Sequence, residues 1–168
     1  MTPAAILLGF VTAERLGELW LARRNTTALL ARGAGEAAPG HYPLIVALHA
    51  LWLAGLWGFG LNGEFDGGWL VIFLALQGLR AWVLMTLGRR WTTRIIVLPG
   101  TPLVMAGPYR FTTHPNYLVV VGEIAVLPLC LGLPWYALAF SVANAAVLAI
   151  RIRAENAALT GTSDAAGA

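Results

Sequence analysis

The residues best suited to binding or catalysis lie close together in the stretch from Gly107 to Tyr117, GPYRFTTHPNY. Pro115 suits the first turn of a helix, where its missing N–H is no loss, so His114 or Thr113 should be the N-cap. The free N–H groups and the positive end of the helix dipole could then bind an anionic group, such as a cofactor carboxylate. The same pattern also fits a helix start with a structural His and Tyr.

Ionisable residues also occur inside apolar stretches, where each is costly unless it is paired or hydrated. At ~1.5 Å per residue, Glu14, Arg80 and Glu123 lie roughly 10–12 Å from the arginine-rich ends of their helices, so they could meet. Glu123 also shares a helical face with Asn116. Three more polar residues lie nearby along the same helices or at a similar depth: Glu18, Gln77 and Asn144. The group is either part of a catalytic site or a structural network that holds helices together.

A third group follows the last apolar stretch, where Arg151 and Glu155 are one helical turn apart. Their spacing favours a simple ion pair on the surface of a helix. The alternative is that both side chains face back toward the cap at His114.

The elements that must position these residues are membrane helices. Of the 168 residues, 58% are hydrophobic and only 11% are charged, which is typical of an integral membrane protein. A helix needs about 20 apolar residues to cross a bilayer. We therefore predict an all-α, single-domain membrane protein over residues 1–168, with about five spans and a cofactor pocket in its carboxyl-terminal half. The spans cover approximately residues 2–22, 43–61, 67–88, 116–132 and 133–150.

The arginines predict the orientation, because short cytoplasmic loops accumulate basic residues. Nine arginines fall on one side of the predicted spans: Arg23, Arg24, Arg32, Arg89, Arg90, Arg94, Arg110, Arg151 and Arg153. We expect an inner-membrane protein with its amino terminus outside and its carboxyl terminus inside. The first span contains Glu14, Arg15 and Glu18, unlike a cleaved signal peptide, so we expect it to be retained.

Two segments are predicted to lie in the cytoplasm between and after the spans. The loop over residues 89–115 contains the apolar runs Ile95–Leu98 and Leu103–Met105, which indicate a small hairpin or an interfacial excursion. Residues 151–159 are predicted to form a tail helix. The single cysteine, Cys130, excludes an internal disulfide and a cysteine zinc cluster, and we predict no metal site. The basic residues are not gathered on a soluble face, so no nucleic-acid partner is expected.

The motifs together resemble those of a known family. GPYR at 107–110, HPNY at 114–117, Glu123 and the Arg151/Glu155 pair are similar to the carboxyl-terminal signature of the isoprenylcysteine carboxyl methyltransferase family. The front half resembles a small bacterial branch of that family, through RLGE at 15–18, ARRN at 22–25, Gly33, Ala34 and Glu36, HYP at 41–43, and His49. The resemblance implies an S-adenosylmethionine pocket formed by His114, Tyr117, Glu123, Arg151 and Glu155. Asn116, in the same motif, joins the cofactor-binding candidates.

The resemblance implies O-methylation of a lipophilic substrate that enters from the bilayer. The bacterial branch is associated with polyketide lipids such as alkylpyrones and alkylresorcinols, which places a hydroxyl acceptor ahead of a prenylcysteine carboxylate. The catalytic candidates are His114, Arg80 and Glu14. A hydroxyl needs a base such as His114, whereas a carboxylate needs only an Arg partner, and His114 could instead be a helix cap. An NADPH-dependent sterol or isoprenoid reductase and a small transporter or scaffold stay open as alternatives.

Overall fold

A computed structural model describes the backbone of residues 2–166 and the side chains of residues 2–40 and 42–155. Over these residues the chain is mainly α-helical, as predicted, with five α-helices in sequence. The helices are α1 (Pro3–Leu30), α2 (Tyr42–Phe59), α3 (Gly67–Leu87), α4 (Pro115–Cys130) and α5 (Pro134–Ala166). Two short strands, β1 (Gly35–Glu36) and β2 (Ile96–Val97), pair antiparallel outside the helices.

Helix α1 is longer than predicted. We expected the first helix to end near Ala22, but the helix continues to Leu30, so Arg23 and Arg24 lie on the helix and not in a loop. The residues beyond Ala22 do not interrupt a helix until Gly33, whose φ of +87° is favourable only for glycine. Gly33 and Ala34 donate hydrogen bonds back to the carbonyls of Leu30 and Leu29, which closes the helix end.

Three helices among the described residues are long and apolar enough to cross a membrane, over residues 42–59, 67–90 and 134–155. Helix α4 is apolar but shorter, and α1 carries Glu14, Arg15 and Glu18 in its middle. Large apolar side chains on these helices point outward, including Leu51, Val71 and Val142, each more than 60% exposed. Such surfaces suit lipid and not water, so the chain is an integral membrane protein.

The main core lies at the end of the bundle where Asn62–Asp66 joins α2 to α3. Buried side chains from α1, α2, α3 and α4 meet there: Leu8, Val11, Leu56, Phe73, Leu127 and Leu131. A smaller cluster at the opposite end contains Ala22, Val83 and Trp91. We call this opposite end, which holds residues 88–114, the loop end. The region between the two cores is where the functional residues lie.

Of the two alternatives for the loop over residues 89–115, the small hairpin does not form. Ile96–Val97 pairs with Gly35–Glu36 of the α1–α2 connection, and residues 101–105 form no strand. The loop is held there because the Asn25 side-chain amide donates to the carbonyl oxygens of Gly88 and Trp91, at 3.1 and 2.8 Å. Strands of two residues each are too short to produce a recognisable periodic pattern in a sequence. Leu103 and Met105 remain exposed, which is compatible with an interfacial position.

Candidate active site

A cavity of about 320 Å³ lies between α1, α2, α4 and α5 and reaches Trp91, Thr92 and Thr93 of the loop. We call it the central cavity. Its size is at the lower end of the range for small-molecule sites in proteins. Most of the wall is apolar, with side chains from all four helices: Leu16, Leu19, Ile45, Val46, Leu53, Val120, Val147 and Leu148.

Polar side chains interrupt this apolar wall and converge on one space. They come from all five helices: Arg15, Glu18, His49, Arg80, Asn116, Tyr117, Asn144 and Arg151. Among the described residues, the Oδ1 atom of Asn116 is buried and has no hydrogen-bond partner. A buried acceptor without a partner is costly, so Asn116 is suited to accept a hydrogen bond from a ligand.

Tyr117 connects the cavity to the last helix. Its hydroxyl donates a hydrogen bond to Glu155 and accepts one from Arg151 Nε at 2.8 Å. Arg151 and Glu155 therefore both face the start of α4, and the sequence-based preference for a simple surface pair is wrong. We call His114, Tyr117, Arg151 and Glu155 the mouth cluster.

His114 belongs to the mouth cluster but does not line the cavity. It occupies the N-cap position of α4, and Pro115 fills the first turn, yet the His114 side chain makes no capping hydrogen bond. The imidazole instead stacks on the Tyr117 ring, with centroids 5.1 Å apart, and its Nδ1 lies 3.9 Å from Glu155 Oε2. His114 is thus a neighbour of Tyr117 and Glu155, and its side chain is not a helix cap.

The ionisable residues inside the helices form a second group, which lies further along α4 than the mouth cluster. Arg80 donates to both carboxylate oxygens of Glu123, one of them at 2.8 Å from Nε, and to Glu18 at 2.9 Å from Nη1. Arg15 donates to Glu18 at 2.7 Å and to Glu123 at 3.2 Å. We call this group the buried ion-pair network, and it consists of Glu14, Arg15, Glu18, Gln77, Arg80 and Glu123.

This arrangement separates Glu123 from the other residues that the resemblance placed in one pocket. Glu123 is bonded to Arg80, Arg15 and Gln77, and it forms no hydrogen bond or ion pair with the mouth cluster. Glu14, a catalytic candidate, pairs with Arg15 at 3.3 Å and does not line the cavity, whereas Arg80 does. The sequence analysis did not assign Arg15 to the site, although its position between Glu14 and Glu18 was a signal of ion pairing.

The loop closes the cavity at the loop end through contacts with α2. The Tyr42 hydroxyl is 3.1 Å from Thr93 Oγ1, and the Arg94 guanidinium lies over the Tyr42 ring while bonding to Glu36. The Glu36 carboxylate raises the pKa of Arg94 above its ordinary value.

Tyr109 lies in the 3₁₀ turn before α4. Burial and the charge of Glu155 raise the pKa of Tyr109 to about 12. Tyr109 therefore keeps its proton at physiological pH.

The side chains around Asn116 fit S-adenosylmethionine. Arg151 can donate to a carboxylate, Glu155 can accept from an ammonium group, and the unpaired Asn116 Oδ1 can accept from an amine or hydroxyl. The buried Nε1 of Trp91, also in the cavity wall, has no partner among the described residues and is a further donor. Aromatic faces for an adenine are present at Tyr117 and Trp91.

Comparisons with known proteins point to one family. The model of the isoprenylcysteine carboxyl methyltransferase (ICMT) family matches residues 69–161. The chain is 38% identical over 159 residues to the uncharacterized protein YpbQ of Bacillus subtilis, with 92% of this chain and 95% of that protein covered. It is 25% identical over 170 residues to an uncharacterized protein of Haemophilus influenzae, covering 92% and 94%. No solved structure matches the chain significantly.

The family match includes α3, α4 and most of α5, and with them the mouth cluster and the Arg80–Glu123 pair. The similarity to YpbQ extends over nearly the whole of both chains, so α1 and α2 belong to the same unit. The chain is a member of the isoprenylcysteine carboxyl methyltransferase family, whose members are membrane methyltransferases that use S-adenosyl-L-methionine.

Proposed function

We propose that this protein methylates a hydroxyl oxygen on a lipophilic substrate, of the polyketide phenol or pyrone type, that enters the central cavity from the bilayer. The observation that carries the proposal is the composition of the cavity wall. Apolar side chains of α1, α2 and α5 line one space together with polar groups that can orient a head group. Such a wall suits a long-chain molecule with one polar ring.

The cofactor would be held at the mouth cluster. Bound S-adenosylmethionine supplies an electrophilic methyl group on sulfur. Arg151 would bind its carboxylate, Asn116 would accept a hydrogen bond, and Tyr117 would hold Arg151 and Glu155 in register through its hydroxyl. These contacts fix the position of the methyl group, which matters because direct displacement needs close alignment of the reacting atoms.

The lateral walls support entry of the substrate from lipid. Leu16 on α1 is 62% exposed and Val46 on α2 is 43% exposed, and both also line the cavity. A side chain that borders both the cavity and the outer surface marks an edge where the two are continuous. The gap between α1 and α2 is therefore our candidate for the substrate entrance.

The charges of the buried ion-pair network favour a neutral acceptor over a carboxylate. The network has three glutamates and two arginines, so its guanidinium groups are already matched by carboxylates when all are ionised. A substrate carboxylate would have to compete with Glu18 and Glu123 for Arg15 and Arg80, and like charges close together are costly. A hydroxyl group meets no such competition. Prenylcysteine carboxyl methylation is therefore the second candidate, supported by the family name alone.

The proposal includes an arrangement in the inner membrane with five crossings and the amino terminus outside. Helices α1 and α4 would then cross together with the three longer apolar helices. The mouth cluster would lie on the cytoplasmic side, where a charged soluble cofactor can reach it without crossing hydrocarbon. The nine arginines at the loop end support this orientation.

A binding experiment tests the cofactor part of the proposal. Purified protein in nanodiscs is titrated by calorimetry with S-adenosylhomocysteine and, separately, with NADPH. We expect binding of S-adenosylhomocysteine only, and a roughly ten- to hundredfold weaker affinity for Arg151→Ala. The matched control is Arg153→Ala, which removes an exposed arginine two residues further along α5 and should bind like the parent. Binding of NADPH instead would support the reductase alternative and refute the proposal.

A further inference from the structure

We infer that His49, on α2, is the general base that accepts the proton of the substrate hydroxyl. The inference rests on the proposed function and adds to it the residue that makes a weakly acidic hydroxyl reactive. His49 lines the central cavity, and His114 does not. His49 on α2 thus lines the same cavity as Tyr117 and Arg151 of the mouth cluster.

The tautomer of His49 follows from one hydrogen bond. Its Nδ1 lies 2.8 Å from the carbonyl oxygen of Ile45, one turn earlier on α2. A carbonyl oxygen can only accept a hydrogen bond, so Nδ1 must carry the ring proton. In the neutral imidazole the lone pair is then on Nε2, and among the described residues no side chain or backbone group hydrogen-bonds to Nε2. The bond to Ile45 also fixes the orientation of the ring.

The other titratable groups of the cavity wall are less suited to accept a proton. The Glu18 oxygens already accept hydrogen bonds from Arg15 and Arg80, and the Tyr42 hydroxyl is engaged with Thr93. The hydroxyl of Tyr117 lies between Glu155 and Arg151. The arginines carry no lone pair that can accept a proton at physiological pH. Among the described titratable side chains of the wall, His49 therefore offers a basic atom, Nε2, that no other group engages, whereas the unpaired Asn116 Oδ1 is an amide oxygen and not a base.

Charged groups of both signs lie on the helices around His49: Arg15 and Glu18 on α1, Arg80 on α3, Glu123 on α4 and Arg151 on α5. The carboxylates of Glu18 and Glu123 are bonded to Arg15 and Arg80, and Arg151 is bonded to Tyr117. Among the described residues, none of these charged groups hydrogen-bonds to the His49 ring.

The step balances in protons and electrons. As the hydroxyl proton moves to His49 Nε2, an electron pair of the substrate oxygen forms the new bond to the methyl carbon. The carbon–sulfur bond breaks, and its electron pair stays on sulfur, which leaves S-adenosylhomocysteine as a neutral sulfide. The imidazolium then releases its proton to water, and His49 returns to the neutral state with its proton on Nδ1.

Two variants separate a base from a structural role. Asn at this position can still donate to the Ile45 carbonyl but is not a base, whereas Phe keeps an aromatic ring but has no ring nitrogen. We expect His49→Asn and His49→Phe to bind S-adenosylhomocysteine within about twofold of the parent. Turnover on an alkyl phenol should fall about 10²-fold or more in both variants, the usual scale for loss of a general base. On an acceptor that is already ionised at the assay pH, the loss should be less than about tenfold, because no proton has to be removed.

A second readout does not depend on methyl transfer. A lipid with a nitrophenol head group is added to protein saturated with S-adenosylhomocysteine, at a pH about one unit below the pKa of the free probe, and the phenolate absorption band is recorded. Parental protein should increase the phenolate fraction, and His49→Asn should not. A parent that methylates phenols, with variants that match its turnover and its phenolate band, would overturn the role of His49 alone. A parent that binds the cofactor but methylates no hydroxyl would overturn the proposed function instead.

Discussion

Arg80 on α3 donates hydrogen bonds through Nε and Nη2 to the two carboxylate oxygens of Glu123 on α4, and both side chains are about 5% exposed. This pair joins two helices that pack along their length, and Glu18 extends it to α1. The bond pattern makes Glu123 a residue that holds three helices together around the cavity. We therefore expect Glu123 to support the site and not to contact the cofactor directly.

Arg80→Gln should destabilise the protein strongly. The substitution leaves Glu123 and Glu18 buried without their main partner, and removal of one partner from a buried pair typically costs about 3–5 kcal/mol. Arg94→Gln is the matched control, because Arg94 bonds to Glu36 at the same 2.8 Å but is 43% exposed. Loss of that exposed pair should cost under about 1 kcal/mol. Unfolding of both variants by SDS titration in mixed micelles measures the difference, and equal losses would contradict the assignment.

Tyr117→Phe should weaken cofactor binding without unfolding the protein. The change removes the hydroxyl that lies between Arg151 and Glu155 and keeps the ring on which His114 stacks. We expect S-adenosylhomocysteine to bind roughly ten- to a hundredfold more weakly, the scale of a lost charged hydrogen bond. Tyr136→Phe is the control, because it removes a hydroxyl bonded to the Trp52 carbonyl at the opposite end of the bundle. A parental dissociation constant for Tyr117→Phe would remove Tyr117 from the cofactor site.

Tyr109 should contribute a stability that disappears in alkali. Its pKa is raised to about 12 in the folded protein, against about 10 for an unperturbed tyrosine. The folded state thus holds the phenol proton more tightly than the unfolded state, so stability is full below pH 10 and falls as the pH rises from about 10 to 12. The free energy of unfolding measured at pH 9 and at pH 11 should fall less in Tyr109→Phe than in the parent. The same fall in both proteins would show that Tyr109 is not responsible.

Gly107→Ala should displace the turn that precedes α4. Gly107 has a φ of +56°, and an added Cβ would contact Thr86 and lie 3.2 Å from Trp82 Nε1. Gly100→Ala is a matched control, since its φ is +70° but nothing lies within 4 Å of an added Cβ. In both variants an alanine is held at a positive φ, which costs about 1 kcal/mol of stability. We expect only Gly107→Ala to lose cofactor affinity as well, and equal binding by the two variants would argue against a role for this turn.

The sequence was informative about the helices because their apolar stretches are long and end at glycine, proline or charged residues. The bounds of α2, α3, α4 and the start of α5 differ from the predicted spans by at most two residues. The end of α1 was misplaced because hydrophobicity stops at Ala22 whereas helix formation continues to Leu30. The ends of a membrane span depend on where the apolar residues that contact lipid stop. The ends of a helix depend on where the backbone hydrogen bonding stops.

The sequence could predict the depth of a site residue along its own helix, but not the side to which its side chain turns. The depth of Arg80 and Glu123 along their helices pointed to a meeting, and the structure places them in contact. The side to which Arg151 and Glu155 turn depends on the packing of α5 against α4, and spacing alone does not contain it. His49 was noted only as part of the resemblance, and no polar neighbour in sequence marked it as a cavity residue. The role that we propose for it rests on the hydrogen bond to Ile45 and the position of α2.

The most direct test of the central claim is a competition for methyl transfer. Purified protein in nanodiscs receives S-adenosylmethionine labelled in the methyl group and equal amounts of an alkylresorcinol and a prenylcysteine, and the labelled products are separated and counted. We predict that the label is found on the resorcinol oxygen, with at most a few per cent on the carboxylate. A methyl ester of the prenylcysteine as the main product would contradict the claim that a lipophilic hydroxyl is the acceptor.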